Sequence, residues 1–90
     1  MLIKQLKNFY RCEMLDLDFD FDEVIETFRN GKRKISEWNF CVHREGEGRC
    51  GAYIMGEGAE QCLAFKHNFG TEQEVIDFFK SLGATKVIPI

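Results

Sequence analysis

Proline is nearly absent from this 90-residue sequence, and long apolar runs are absent altogether. The single proline is Pro89, and no stretch has the composition of a linker, so we expect residues 1–90 to form one domain. No apolar run is long enough to cross a bilayer, and the first residues lack the apolar segment of a signal peptide. These absences predict a cytoplasmic protein without membrane contact.

The sequence also has little that resembles a catalytic constellation. Residues 46–51, GEGRCG, match a dinucleotide-binding fingerprint letter for letter. That fingerprint requires a helix directly after the glycines, whereas the next residues here, AYIM, favour a strand. We therefore interpret the glycines as hairpin-turn residues, and we expect a protein that is not an enzyme and needs no cofactor.

Charge is limited in total but strongly clustered. The formal net charge of −3 argues weakly against direct nucleic-acid binding. Residues 13–26 contain seven acids and no base, and residues 29–34 contain four bases. A helix dipole favours acids at the start of a helix and bases at its end, and we prefer this explanation of the basic run over phosphate binding.

Two helices are predicted, over residues 21–30 and 72–82. Asp20 and Thr71 are suited to cap them, and each is followed three residues later by a glutamate, which completes a capping box. Apolar residues recur at helical spacing in both segments. They are Phe21, Val24, Ile25 and Phe28 in the first, and Val75, Ile76, Phe79 and Leu82 in the second.

Three strand-like runs occupy residues 36–67 and are separated by Gly-Glu-Gly sequences, which predicts a β-meander. Residues 85–90 are expected to form a last strand, which Pro89 keeps at a sheet edge because proline cannot donate a ladder hydrogen bond. The expected fold is α+β, with a three- or four-stranded antiparallel sheet and the helices packed mainly against one face. Residues 1–14 fit a helix or an opening strand.

The first hairpin predicts which side chains share a face. A tight turn near residues 46–48 is expected to place Phe40 opposite Tyr53. If the second turn keeps this parity, Leu63 and Phe65 lie on the same face. The other face would then carry Asn39, Cys41, His43, Cys50, Ala52, Ile54, Cys62, Ala64 and Lys66.

On this pairing, Cys41, His43, Cys50 and Cys62 share one face, where thiolates and an imidazole could hold zinc. The spacing contains no C-x-x-C pair to bring two ligands together, and cysteine is often a small buried apolar residue. Plain packing is therefore the favoured interpretation. A metal-binding or thiol-dependent domain stays as an alternative hypothesis.

The most unusual segment is LDLDFDFDE, residues 15–23, in which apolar and acidic residues alternate. An EF-hand loop starting at Asp16 would need glycine at position 21 and glutamate at position 27, where the sequence has Phe21 and Thr27, so we do not expect calcium binding of that kind. In an extended segment, alternate carboxylates lie about 6.6 Å apart, close to the phosphate spacing of a nucleic-acid strand. A plainer interpretation is an edge strand protected by charge, which becomes a helix start at Asp20.

Our leading hypothesis is a small non-catalytic protein-binding module, an inhibitor or regulator that meets a basic partner such as a nucleic-acid-binding enzyme. Phage anti-defence proteins such as anti-CRISPR proteins, and immunity proteins against nuclease toxins, act in this style. The contact would be made by an acidic surface, which comprises Asp16, Asp18, Asp20, Asp22, Glu23 and Glu26. A third hypothesis is a homo-oligomeric structural module, for example a homodimer, in which residues 85–90 or 15–19 pair across a two-fold axis.

Overall fold

The computed structural model describes residues 20–56 and 62–90, and for Cys62 the backbone alone. The elements are α1 (Phe21–Arg29), a 3-10 turn (Ile35–Glu37), β1 (Asn39–Gly46), β2 (Arg49–Met55), β3 (Cys62–Gly70), α2 (Glu72–Leu82) and β4 (Val87–Pro89). The strands form one sheet in the order β3-β2-β1-β4. The α+β class and both predicted helices are confirmed, whereas the prediction for residues 1–14 lies outside the described residues.

The helix boundaries follow from the capping residues. The Asp20 carboxylate accepts hydrogen bonds from the backbone N–H groups of Asp22 at 2.9 Å and Glu23 at 3.4 Å, which opens α1. At the start of α2, Thr71 and Glu74 form a reciprocal capping box. Within residues 20–56 and 62–90, no helix is long and apolar enough to cross a membrane.

The sheet is mixed, so the prediction of a wholly antiparallel sheet is wrong. β2 is antiparallel to β1 and β3, but β4 is parallel to β1. The reason is the position of α2 between β3 and β4: a helix that crosses a sheet returns the chain to the end where the previous strand began. β4 lies at the sheet edge as expected, where Pro89 has no N–H to pair and Ile90 donates to the Val42 carbonyl at 2.9 Å.

Both helices cover the same face of the sheet. Their buried side chains join Phe40, Val42, Ala52 and Ile54 in the larger core cluster. A continuous series of aromatic contacts crosses this layer, in the order Phe28, Phe40, Phe79, Phe21, Phe78 and Phe69. Its central member, Phe79, is 0% exposed. The aromatic residues therefore join α1, α2 and the sheet into one packed layer.

A second, smaller apolar cluster lies on the far face of the sheet, opposite the face on which α1 and α2 pack. Cys41, Tyr53 and Met55 are buried there, and half-buried Phe65 and Ile88 pack against them. Odd-numbered residues of β1 and β2 point to this face, since strand side chains alternate. The sheet is therefore buried on both sides.

The pairing of β1 with β2 differs by one residue from the prediction, because Phe40 lies opposite Ile54 and Cys41 lies opposite Tyr53. Glu45 causes the shift, since it is an extra residue in β1 where the pairing is irregular between Arg44 and Gly46. Every β1 side chain therefore lies on the face opposite to the one predicted. Tyr53 and Phe65 share a face, as predicted. The prediction that Leu63 joins them is wrong, because the pairing of β2 with β3 shifts between Ile54 and Met55 and Leu63 packs in the cluster beneath the helices.

Candidate functional site

Four members of the predicted acidic surface lie together at the start of α1. Asp20, Asp22, Glu23 and Glu26 are all exposed, while Asp16 and Asp18 lie outside the described residues. Side chains three and four positions apart are neighbours on a helix, which places Glu26 beside both Asp22 and Glu23. The outer side of the first two turns of α1 is therefore lined with carboxylates.

These carboxylates differ in what they already contact. Asp20 caps α1. Glu26 forms an ion pair with Arg29 at 2.8 Å, but both side chains are more than half exposed, so this contact is weak. Asp22 and Glu23 make no ion pair with any other described residue. Within the described part of the acidic surface, they are the carboxylates that neither cap the helix nor pair with a described cation.

The predicted metal ligands are not brought together. Cys41 and His43 lie on the far face of the sheet, whereas Cys50 belongs to the core beneath the helices; the side chain of Cys62 is not described. Over the described ranges, no group of three or more histidine, cysteine or acidic residues is placed to hold a metal. Burial raises the pKa of the Cys41 thiol to about 12, so it stays protonated at neutral pH and is a poor nucleophile.

The homodimer hypothesis depends on the edges of the sheet. β4 occupies one edge, but it is only three residues long and includes Pro89. A short edge strand with a proline offers few groups for pairing with another copy. The other proposed segment, residues 15–19, lies outside the described residues, so pairing of two copies stays a hypothesis.

A polar cluster that the sequence did not reveal lies at the end of the far face, and we call Glu45, Tyr53 and His67 the Glu45 cluster. One Glu45 oxygen, Oε2, contacts His67 Nδ1 and accepts a hydrogen bond from the Tyr53 hydroxyl at 3.2 Å. The other, Oε1, accepts from the backbone N–H of Asn68 at 2.7 Å. The Glu45 side chain is 15% exposed and that of His67 is 43% exposed.

Backbone irregularities on two strands create the Glu45 cluster. Glu45 is the extra residue of β1, and in β3 Asn68 has a positive φ of 51° where the pairing with β2 shifts. Gly51 leaves the space that the carboxylate fills, because a Cβ there would lie 2.7 Å from Glu45 Oε1. The sequence signal for this close approach was Gly51, since a glycine inside a strand often marks a place where another group comes near the backbone. Its interpretation as a hairpin-turn residue is wrong, because Gly51 lies within β2.

The environment of Glu45 keeps its carboxylate ionised. Burial raises the pKa of Glu45, but the hydrogen bond from Asn68, the hydrogen bond and charge of His67 and the Tyr53 hydroxyl together outweigh it. The net result is a pKa below the usual value for glutamate. Because both carboxylate oxygens connect the irregular ends of β1 and β3, we interpret the Glu45 cluster as a contact that stabilises the fold.

Glu45→Gln is expected to flatten the acid dependence of stability. A carboxylate whose pKa is lowered by folding stabilises the native state above its unfolded pKa, near 4.5, and this contribution is lost as pH falls through the folded value. At neutral pH the variant should lose about 1–3 kcal/mol of unfolding free energy, since hydrogen bonds to a charge are removed. Urea unfolding measured across the acid range compares the two proteins.

The matched control is Glu47→Gln, which changes an exposed glutamate in the neighbouring hairpin turn. It should keep the acid dependence of the wild type. An acid dependence in Glu45→Gln as steep as in the wild type would show that Glu45 does not link folding to protonation.

Comparisons with protein-family models, with curated proteins and with solved structures found no significant match. Function must therefore be inferred from the residues of this chain. Among the surfaces described, the carboxylates of α1 have the clearest chemical character. They are exposed, they carry charge of one sign, and they lie on a helix whose apolar side is buried.

Proposed function

We propose that the protein is a small non-catalytic protein-binding module that inhibits or regulates a partner with a basic surface, such as a nucleic-acid-binding enzyme. The observation that supports this proposal is the exposure of Asp22 and Glu23, which have no ion pair among the described residues. Asp20 and Glu26 add two further carboxylates to the same helix end. Asp16 and Asp18 are proposed to extend this surface.

The packing of the helix beneath the acidic surface favours binding. Phe21, Val24, Ile25 and Phe28 are all buried, so α1 is fixed to the sheet along its whole length. Carboxylates on a fixed helix lose less backbone freedom on binding than those of a loose segment, which improves affinity. Opposite charges on the partner would steer the encounter, and salt would screen this attraction.

A cytoplasmic location is part of the proposal, because Cys41 and Cys50 are free thiols and cytoplasmic proteins keep their cysteines reduced. The acidic surface is proposed to occupy the site at which the partner otherwise binds the phosphates of a nucleic acid. Inhibition then arises by competition and requires no chemistry from this protein. The analogy with phage anti-defence proteins and with immunity proteins is one of function and not of sequence.

Asp22→Lys combined with Glu23→Lys is expected to slow association with the partner by about 10- to 1000-fold, since steering by charge is reversed. The partner is first captured from the source cell at low salt, and binding kinetics are then followed by surface plasmon resonance over a range of salt concentrations. Duplex DNA or heparin, added as a competing polyanion, should displace the wild-type protein.

Glu72→Lys combined with Asp77→Lys is the control, because it makes the same change in net charge on exposed residues of α2. Glu72 also lies in the first turn of its helix, so the control includes a comparable loss of helix-dipole stabilisation. This variant should bind the partner almost as fast as the wild type. Equal association rates for the α1 variant and the wild type would refute the proposal.

A further inference from the structure

A groove of about 700 Å³ lies beyond the end of α1, between the segment that leads into β1 and the loop from α2 to β4. Its volume falls within the range of small-molecule sites, about 300–1000 Å³. The floor is apolar and includes the buried residues Phe28, Phe40 and Ala84. We call this feature the basic groove because of the side chains around it.

Three cations line the basic groove: Arg33, Lys34 and Lys86. None of the described residues that line it is acidic, and Lys34 and Lys86 form no ion pair with any described residue. Arg33 is held in place, because its Nη1 donates to the Thr27 hydroxyl at 2.9 Å. The groove therefore concentrates positive charge in a protein whose net charge is negative.

The helix dipole does not account for this concentration. Its effect is confined to the last turn of a helix, where Arg29 lies in α1 and already pairs with Glu26. Lys34 comes after the helix has ended, and Lys86 reaches the groove from the far end of the sequence. Folding therefore brings together basic residues whose clustering the helix dipole does not explain.

An aromatic side chain lines the same groove as the cations. Trp38 packs against the core and lines the groove, and the residue is only half-buried. Ser36, Asn39 and Thr85 add hydrogen-bonding groups at the same opening. Cations next to an aromatic surface suit a ligand that carries both phosphate and a flat ring, since phosphates pair with lysine and bases stack on aromatic residues.

We propose that the basic groove binds a nucleotide, with its phosphates on Lys34 and Lys86 and its base against Trp38. The nucleotide is either free or the terminal residue of a single strand, because both present the same phosphate and base. This local site is compatible with a net charge that disfavours general nucleic-acid binding. It is also independent of the acidic surface, which lies at the other end of α1, about 13 Å away along the helix.

Fluorescence of Trp38, the only tryptophan in the chain, reports on binding directly. The protein is titrated with ATP, adenosine, inorganic phosphate and a 5′-phosphorylated oligothymidylate. We expect a saturable change with ATP or the oligonucleotide, and binding at least about tenfold weaker for adenosine and phosphate, which each lack half of the ligand. Tighter binding of ATP assigns a free nucleotide, and tighter binding of the oligonucleotide assigns a strand end.

Lys34→Ala combined with Lys86→Ala should weaken binding about tenfold or more, since hydrogen bonds to phosphate are lost, and should reduce its salt dependence. Lys66→Ala combined with Lys80→Ala removes two exposed lysines that do not line the groove, and should leave the affinity unchanged. Equal affinities for these two variants would overturn the proposal. Binding of an oligoglutamate as tight as that of ATP, or no binding of ATP and oligonucleotide, would also overturn it.

Discussion

Phe79→Ala is expected to lower the free energy of unfolding by about 3–5 kcal/mol, the largest stability loss that we predict for this chain. Phe79 is 0% exposed, and its ring centroid lies 5.0 Å from that of Phe40 and 6.4 Å from that of Phe21. It therefore joins α2 to both β1 and α1. A small domain has only about 5–15 kcal/mol in total, so this variant should lose a large share of its stability and unfold at a much lower denaturant concentration.

Chemical denaturation followed by far-ultraviolet circular dichroism measures this loss. Lys80→Ala is the control, because Lys80 is the exposed neighbour of Phe79 in the same helix and alanine favours helix formation. The control should change the unfolding free energy by less than about 0.5 kcal/mol. A loss below about 1 kcal/mol in Phe79→Ala would contradict the packing of α2 against the sheet.

Gly51→Ala is expected to destabilise the protein by about 2–4 kcal/mol, although alanine in place of glycine usually stabilises an extended segment. The new Cβ would lie 2.7 Å from Glu45 Oε1 and 2.8 Å from Tyr53 Cε1. The Tyr53 ring is buried and cannot yield, so the carboxylate of Glu45 would be displaced. Displacement removes the carboxylate oxygen that accepts from the Asn68 N–H, and it breaks the contacts of Glu45 with Tyr53 and His67.

Gly46→Ala provides the matched control from the same hairpin. A Cβ at Gly46 meets nothing within 4 Å, so this variant should be neutral or more stable by up to about 1 kcal/mol. The two variants are compared by urea unfolding at neutral pH. If they proved equally stable, the close approach of Glu45 to Gly51 would not exist in solution.

The two proposed binding surfaces carry charges of opposite sign. The acidic surface lies where the helix begins and the basic groove lies beyond its end, so the two proposed sites carry opposite charges at opposite ends of α1. A partner with a basic surface would be repelled from the groove, which limits the ways in which it can dock. Variants at the two sites should therefore act separately, because distant substitutions without shared contacts are additive.

Local residue patterns determined the helices, their starts and the edge position of the last strand. Capping at Asp20 and Thr71, and the spacing of apolar residues behind them, involve only neighbours in sequence, so they can be recognised without the fold. The same holds for the acidic character of α1, since exposed charges on an amphipathic helix are fixed by helical periodicity. These features need no knowledge of distant contacts.

Tertiary structure alone decided the pairing of β1, the direction of β4 and the position of every site that combines distant residues. One extra residue at Glu45 reversed the faces of β1, which separated Cys41 from Cys50 and created the Glu45 cluster. The crossover of α2 made β4 parallel to β1 and carried Lys86 to Arg33 and Lys34. A strand register can change through a single extra residue, and the groove forms where residues 28–40 meet residues 83–88, which are distant in sequence. Neither feature therefore has a signature in local sequence.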